Sequence, residues 1–175
     1  VVLAIVLAWI AIGLAGLLAP RSLAWVGHTL FPLGAALGLA LAAFAIMALF
    51  AAPEAWVLPL GLPDLPMHVR LDPLAACFLA LIGLTVSGIS LYAAGYFRPG
   101  EGAAPGLMCL QYHVFLASMA MVVLADDAYA FMVMWETMAL SSFFLVTANH
   151  RIPEIRRAGY VYLLVAHVGA IGILM

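Results

Sequence analysis

Long apolar runs, separated by short clusters of polar and helix-breaking residues, pattern this chain from end to end. A helix crossing a lipid bilayer needs about 20 mainly apolar residues, and the runs divide on that length. They predict spans over roughly Val1–Ala19, Phe31–Ala52, Pro73–Phe97, Met108–Ala125 and Ala128–Ala148, with a sixth beginning at Gly159. Pro20, Pro32, Pro73 and Pro153 fall at or just outside these boundaries, where a missing N–H and a fixed φ do least harm. The first run is too long and too apolar at both ends for a cleaved signal peptide, and it has no basic flank. It reads as a true span. The expected fold class is all-α, a polytopic transmembrane helix bundle of about six spans. The chain begins without an initiator Met and stops at Met175 inside an apolar run, so it reads as a piece of a longer protein.

The connection 53–72, "PEAWVLPLGLPDLPMHVRLD", contains four prolines and then alternates with period two through Met67, His68, Val69, Arg70, Leu71 and Asp72. Alternation of that kind predicts extended chain or a small hairpin on the outer surface, with an irregular loop as the alternative. In the second span Gly34 and Gly38 stand four apart and Ala42 continues the line. Small residues at this spacing let another helix approach closely.

Composition agrees with the pattern: 68% of residues are apolar, 8% are charged, and the mean hydropathy is +1.22. These values lie far outside the range of soluble domains. The net charge of -2 has no basic face behind it, which excludes nucleic acid as a partner. Cys77 and Cys109 stand singly in apolar surroundings with no CxxC, CxxCH or metal-ligand spacing, so both read as packing residues. There is no lysine. Arg21, Arg98, Arg151, Arg156 and Arg157 fall on one side of the alternating connections and Arg70 on the other. By the positive-inside rule the N-terminus faces out and the connection after the fifth span faces the cytoplasm.

Against this background "FMVMWETMALSSFFLV" (131–146) places Glu136 in mid-span. A charge there destabilises by roughly 2.5 kcal/mol or more. Tyr129 and Thr147, seven and eleven positions away, lie within about 20° of its direction, so Glu136 belongs to a polar stripe. Its neighbours one turn away, Met132, Val133, Ala139 and Leu140, are apolar, and desolvation among them disfavours the carboxylate. A carboxyl existing in both forms can accept and release a proton; the alternative is a Glu held neutral, or paired with Arg, to lock helices together. His167 in "LLVAHVGAIG" follows Tyr160 by seven residues on one face, and His113 in "LQYHVFLASM" sits early in the fourth span. Glu and His on neighbouring helices form a reasonable proton relay. Inter-helix hydrogen bonding and bis-histidine haem ligation are the alternatives. The remaining histidines, His28, His68 and His150, are in connections.

The runs "LDPLAACFLALIGLTVSGISLYAAGYF", "VFLASMAMVVLADDAYAFMVMWETMALSSFFLV" and "RRAGYVYLLVAHVGAIG" resemble the proton-translocating antiporter-like membrane subunits. These occur in respiratory complex I, membrane-bound hydrogenases and formate hydrogenlyase, and multisubunit cation/proton antiporters. The resemblance covers roughly residues 70–175, and its most specific element is Trp135–Glu136 midway along a span, preceded by a helix ending in Ala125–Asp126. It implies two segments: residues 1–69 with two spans and an outer loop, and residues 70–175 as the start of the antiporter-like domain. "AHVGAIG" looks closer to the branch of hydrogenase-4 component B and formate hydrogenlyase.

The resemblance implies that Glu136 is the acidic member of a Glu–Lys pair in proton transfer, with the lysine on a seventh helix beyond Met175. His167 falls where complex I relatives often carry another polar residue. On this reading Glu136, His167 and His113 transfer protons, and Tyr129, Thr147 and Tyr160 support them. The implied partners are other membrane subunits and a peripheral redox module, the implied compartment a prokaryotic inner membrane. No redox cofactor is expected in this chain. A sodium/proton antiporter subunit, and a non-conducting or haem-binding scaffold, remain as alternatives.

Overall fold

The computed structural model describes residues 1–62, 64–96 and 103–175. Six helices and one hairpin build it. Helix α1 is Val2–Gly16, α2 is Leu23–Ala48, β1 is Glu54–Leu62 and β2 is Leu65–Leu71. Then come α3, Pro73–Tyr96, α4, Pro105–Leu124, α5, Ala128–Val146, and α6, Pro153–Leu174. Among the described residues, α2, α3, α4 and α5 are long and apolar enough to cross a membrane. The chain is a multi-pass membrane protein, because in hydrocarbon only helices satisfy every backbone group within one segment.

Among the boundaries that differ from the sequence expectation, three bear on the fold. The first helix has 15 residues rather than the length of a full span and ends at Gly16, before Pro20. The second begins at Leu23, so Pro32 lies inside it rather than at its edge. Ser22 caps this start, its Oγ accepting from Trp25 N at 3.2 Å, and a π-helical turn over Val26–Leu30 precedes the proline. Such a turn is one way a helix absorbs a residue that cannot donate to its ladder. The sixth helix starts at Pro153 rather than Gly159. Pro at the first position and Glu154 in the first turn suit a helix N-terminus, so polar residues that end an apolar run do not end the helix. Phe97, the expected end of the third span, and Arg98, one of the five arginines, lie outside the described residues.

Helix α2 packs along α3, and α4 lies between α1 and α5. The glycine line of α2 meets a glycine on α3: a Cβ at Gly83 would stand 2.6 Å from both the Gly38 carbonyl oxygen and the Ala42 nitrogen. Only a residue without a side chain allows backbones this close. One apolar core, with Trp9, Leu41, Leu79 and Leu116 fully or almost fully buried, joins α1 through α4.

The connection 53–72 folds as an antiparallel hairpin with Glu54 opposite Leu71 and Val57 opposite His68. On β2 the period-two pattern is realised, with Met67, Val69 and Leu71 buried and His68 and Arg70 exposed. On β1 the register shifts between Leu58 and Gly61. Gly61 has φ 125°, a backbone conformation that side chains disfavour.

Candidate functional site

The site grows from the start of α5. Asp127 caps this helix, its Oδ1 accepting from Ala130 N at 2.6 Å, which satisfies an otherwise orphaned amide. Its Oδ2 accepts from His68 N at 2.6 Å and lies 3.1 Å from His68 Nδ1. Next to it, Arg70 Nη2 pairs with Asp126 Oδ2 at 2.9 Å, and Asp126 N donates to the His68 carbonyl at 2.9 Å. Strand β2 is thereby latched to the α4–α5 turn. Burial opposes ionisation of Asp127, but the Ala130 and His68 amides and the His68 imidazole outweigh it and hold the carboxyl below its usual range.

Glu136 lies midway along α5, half-buried, and its Oε2 meets His167 Nε2 of α6 at 3.2 Å. The other imidazole nitrogen, Nδ1, lies 2.8 Å from the Leu163 carbonyl, one turn earlier. An imidazole whose Nδ1–H donates to that carbonyl presents a bare Nε2 able to take a proton from a neutral Glu136 carboxyl; a protonated imidazole pairs with the carboxylate. The structure thus brings together two residues singled out from the sequence, on adjacent helices.

His113 is placed elsewhere. It is fully buried in α4, with Nδ1 2.8 Å from the Cys109 carbonyl and 3.4 Å from Cys109 Sγ. Its ring packs beside Phe31 and Tyr112, and Nε2 has no hydrogen-bond partner among the described residues. That nitrogen faces Gly34, where a Cβ would stand 2.6 Å away. His113 and His167 therefore face different neighbours and do not form a facing pair within this chain. Cys109 is buried and Cys77 exposed.

The three supporting residues also separate. Tyr129 lies against Gly61 of the hairpin, Thr147 packs on Gly159 of α6 while donating to the Phe143 carbonyl at 2.8 Å, and Tyr160 is exposed. Beyond Thr147 the α4–α5 seam opens into a cavity of about 390 Å³ lined by Gln111, Phe143, Thr147, His150 and Arg156 among others. The sequence reading missed a second contact between α5 and α6: Ser142 Oγ and Tyr162 Oη lie 2.6 Å apart. Its only sequence signal is two hydroxyl residues in apolar helices, and neither shares a face with Glu136 or His167.

Comparison with known proteins supplies the context of these residues. Hydrogenase-4 component B of Escherichia coli (strain K12) is 37% identical over 109 residues, 62% of this chain and 16% of that protein. NADH-quinone oxidoreductase subunit L of Mycobacterium tuberculosis (strain ATCC 25618 / H37Rv) is 30% identical over 120 residues, 67% of this chain and 18% of that protein. Antiporter subunit mnhA2 of Staphylococcus aureus (strain MRSA252) is 32% identical over 84 residues, 48% of this chain and 10% of that protein. The chain spans less than a fifth of the length of the curated relatives it matches. No family model matches it. Together with the multi-pass helical bundle, these relatives support placing the chain in the antiporter-like membrane-subunit family, at modest identity over part of its length.

Proposed function

We propose that this chain is part of a membrane subunit of a redox-driven proton-pumping complex, and that Glu136 carries the proton with His167 as its partner. The observation that carries the reading is the 3.2 Å contact between these two side chains on adjacent helices. Intramembrane carboxylates mark ion and proton pathways because their burial is otherwise unfavourable. Proton transfer between a carboxyl and an imidazole needs hydrogen-bond reach, and 3.2 Å is at its limit. A charge or conformational change arriving from a partner subunit alters the field at Glu136. Positive charge nearby favours the ionised carboxylate, and its withdrawal favours proton uptake. On this proposal residues 70–175 begin the proton-translocating segment, and the arginine asymmetry supports an N-terminus outside an inner membrane. His113, buried on α4 among other neighbours, is the third residue of the proposed relay, with helix packing as its alternative.

The names of the relatives support membership of a multisubunit complex, and the hydrogenase-4 match favours a redox partner. The match to an antiporter subunit supports a second reading, in which the same pair moves protons against another cation.

Glu136→Gln in the full-length protein tests the proposal. It keeps the shape and much of the hydrogen bonding but cannot ionise. Normal assembly on a native gel is expected with loss of most proton uptake into vesicles, and Glu136→Asp retains an intermediate rate. Full pumping by the Gln variant refutes the carrier role, and loss of assembly points to a structural ion pair.

A further inference from the structure

The seam between α5 and α6 has an unusual make-up. Its middle is floored by small residues: Ala139 and Ala170 are buried, and Gly159 sits against Thr147 and Phe143. Small residues bring the two helices close, and the side chains on either flank then limit how far one helix can turn on the other. Helix α6 packs mainly on α5 among the described residues.

Polar contacts flank this smooth floor on both sides. Glu136 and His167 meet on one flank. Ser142 stands about 120° round α5 from Glu136, and Tyr162 about 140° round α6 from His167, at 100° per residue. The 2.6 Å Ser142–Tyr162 contact therefore lies on the opposite flank. Ser142 Oγ also lies 2.9 Å from the Ala139 carbonyl; with its single hydrogen donated there, it accepts from the Tyr162 hydroxyl.

We infer that Tyr162, through Ser142, is a positioning residue: it clamps the rotation of α6 on α5 so that His167 stays within reach of Glu136. This rests on the proton-carrier reading of Glu136. Two contacts on opposite flanks define an angle that neither defines alone. Losing the Tyr162 hydroxyl lets α6 turn, and the 3.2 Å Glu136–His167 contact lengthens.

The test uses the full-length protein in its assembled complex, with proton uptake into vesicles measured from pH 6 to 8. Tyr162→Phe and Ser142→Ala are each expected to slow uptake by between roughly threefold and fifteenfold, the range of inter-helix hydrogen bonds in membranes. Each should move the pH midpoint in the direction that His167→Ala moves it. In a His167→Ala background neither should add anything, since the clamp acts through His167. Parental rate and midpoint in both variants overturn the clamp, as does equal slowing in the His167→Ala background or a His167→Ala variant that behaves like the parent. Should Tyr162→Phe fail to assemble, Ser142→Ala decides by the same criteria. Glu136→Gln, run in parallel, separates the two ideas. Normal uptake there removes the carrier reading, whereas blocked uptake beside unaffected Tyr162 and Ser142 variants removes the clamp alone.

Discussion

Gly83 and Gly88 lie on the same helix, α3, yet the structure predicts opposite responses to the same substitution. At Gly83 an added methyl would stand 2.6 Å from the Gly38 carbonyl oxygen and from the Ala42 nitrogen, well inside ordinary contact, which begins at 3.4 Å. Both obstacles are backbone, so relief requires α2 and α3 to part. Overpacking of this kind costs about 1–3 kcal/mol. At Gly88 a methyl meets nothing within 4 Å among the described residues. Replacing Gly by Ala in a helix gains about 1 kcal/mol of propensity, and this gain is common to both sites. The difference between the two variants therefore isolates the packing term, about 1–3 kcal/mol against Gly83→Ala. The assay is the thermal midpoint of the full-length protein in detergent, with both variants and the parent run side by side. Gly83→Ala should melt at or below the parent, the packing cost less the propensity gain leaving about 0–2 kcal/mol, and Gly88→Ala at or above it. Equal midpoints for the two variants would refute the close α2–α3 crossing and with it the meaning given to the Gly34, Gly38 and Ala42 line.

Two further outcomes follow from the charged ends of the molecule. Cysteines introduced at Asp64 and Asn149, both exposed, should respond oppositely to an impermeant thiol reagent in intact cells, Asp64→Cys reacting and Asn149→Cys protected; the reverse would invert the proposed orientation. Asp127→Ala should accelerate hydrogen exchange at the Ala130 amide, consistent with a lost cap of about 1 kcal/mol, while Asp127→Asn retains most protection. In the parent the Asp127 carboxyl is held below its usual range, so its contribution is complete above the ordinary carboxylate value of about 3.9 and is lost as the pH falls through the lowered one. Protection that fades already between pH 7 and 5 would contradict this assignment.

Hydropathy alone determined the class of this protein and most of its helices, because the bilayer is a solvent that fixes both the length and the polarity of whatever crosses it. The same reasoning exposed Glu136, since a lone carboxylate is conspicuous only in apolar surroundings, and the period-two pattern of residues 67–72 marked the strand whose alternate side chains are buried. Local pattern was less informative where polar residues stop an apolar run without stopping a helix, as at Leu23 and Pro153. It carried no information on the long-range pairs of the hairpin. His68 and Asp127 lie 59 positions apart and Arg70 and Asp126 lie 56 apart, and only the return of the hairpin over the α4–α5 turn brings them together. The separation of His113 from Glu136, and the meeting of Ser142 with Tyr162, likewise depend on how each helix is rotated about its axis. A 3.6-residue period describes one helix, whereas rotation is set by the small residues, close backbones and paired hydroxyls of the neighbour, so the tertiary structure alone decided which polar side chains touch.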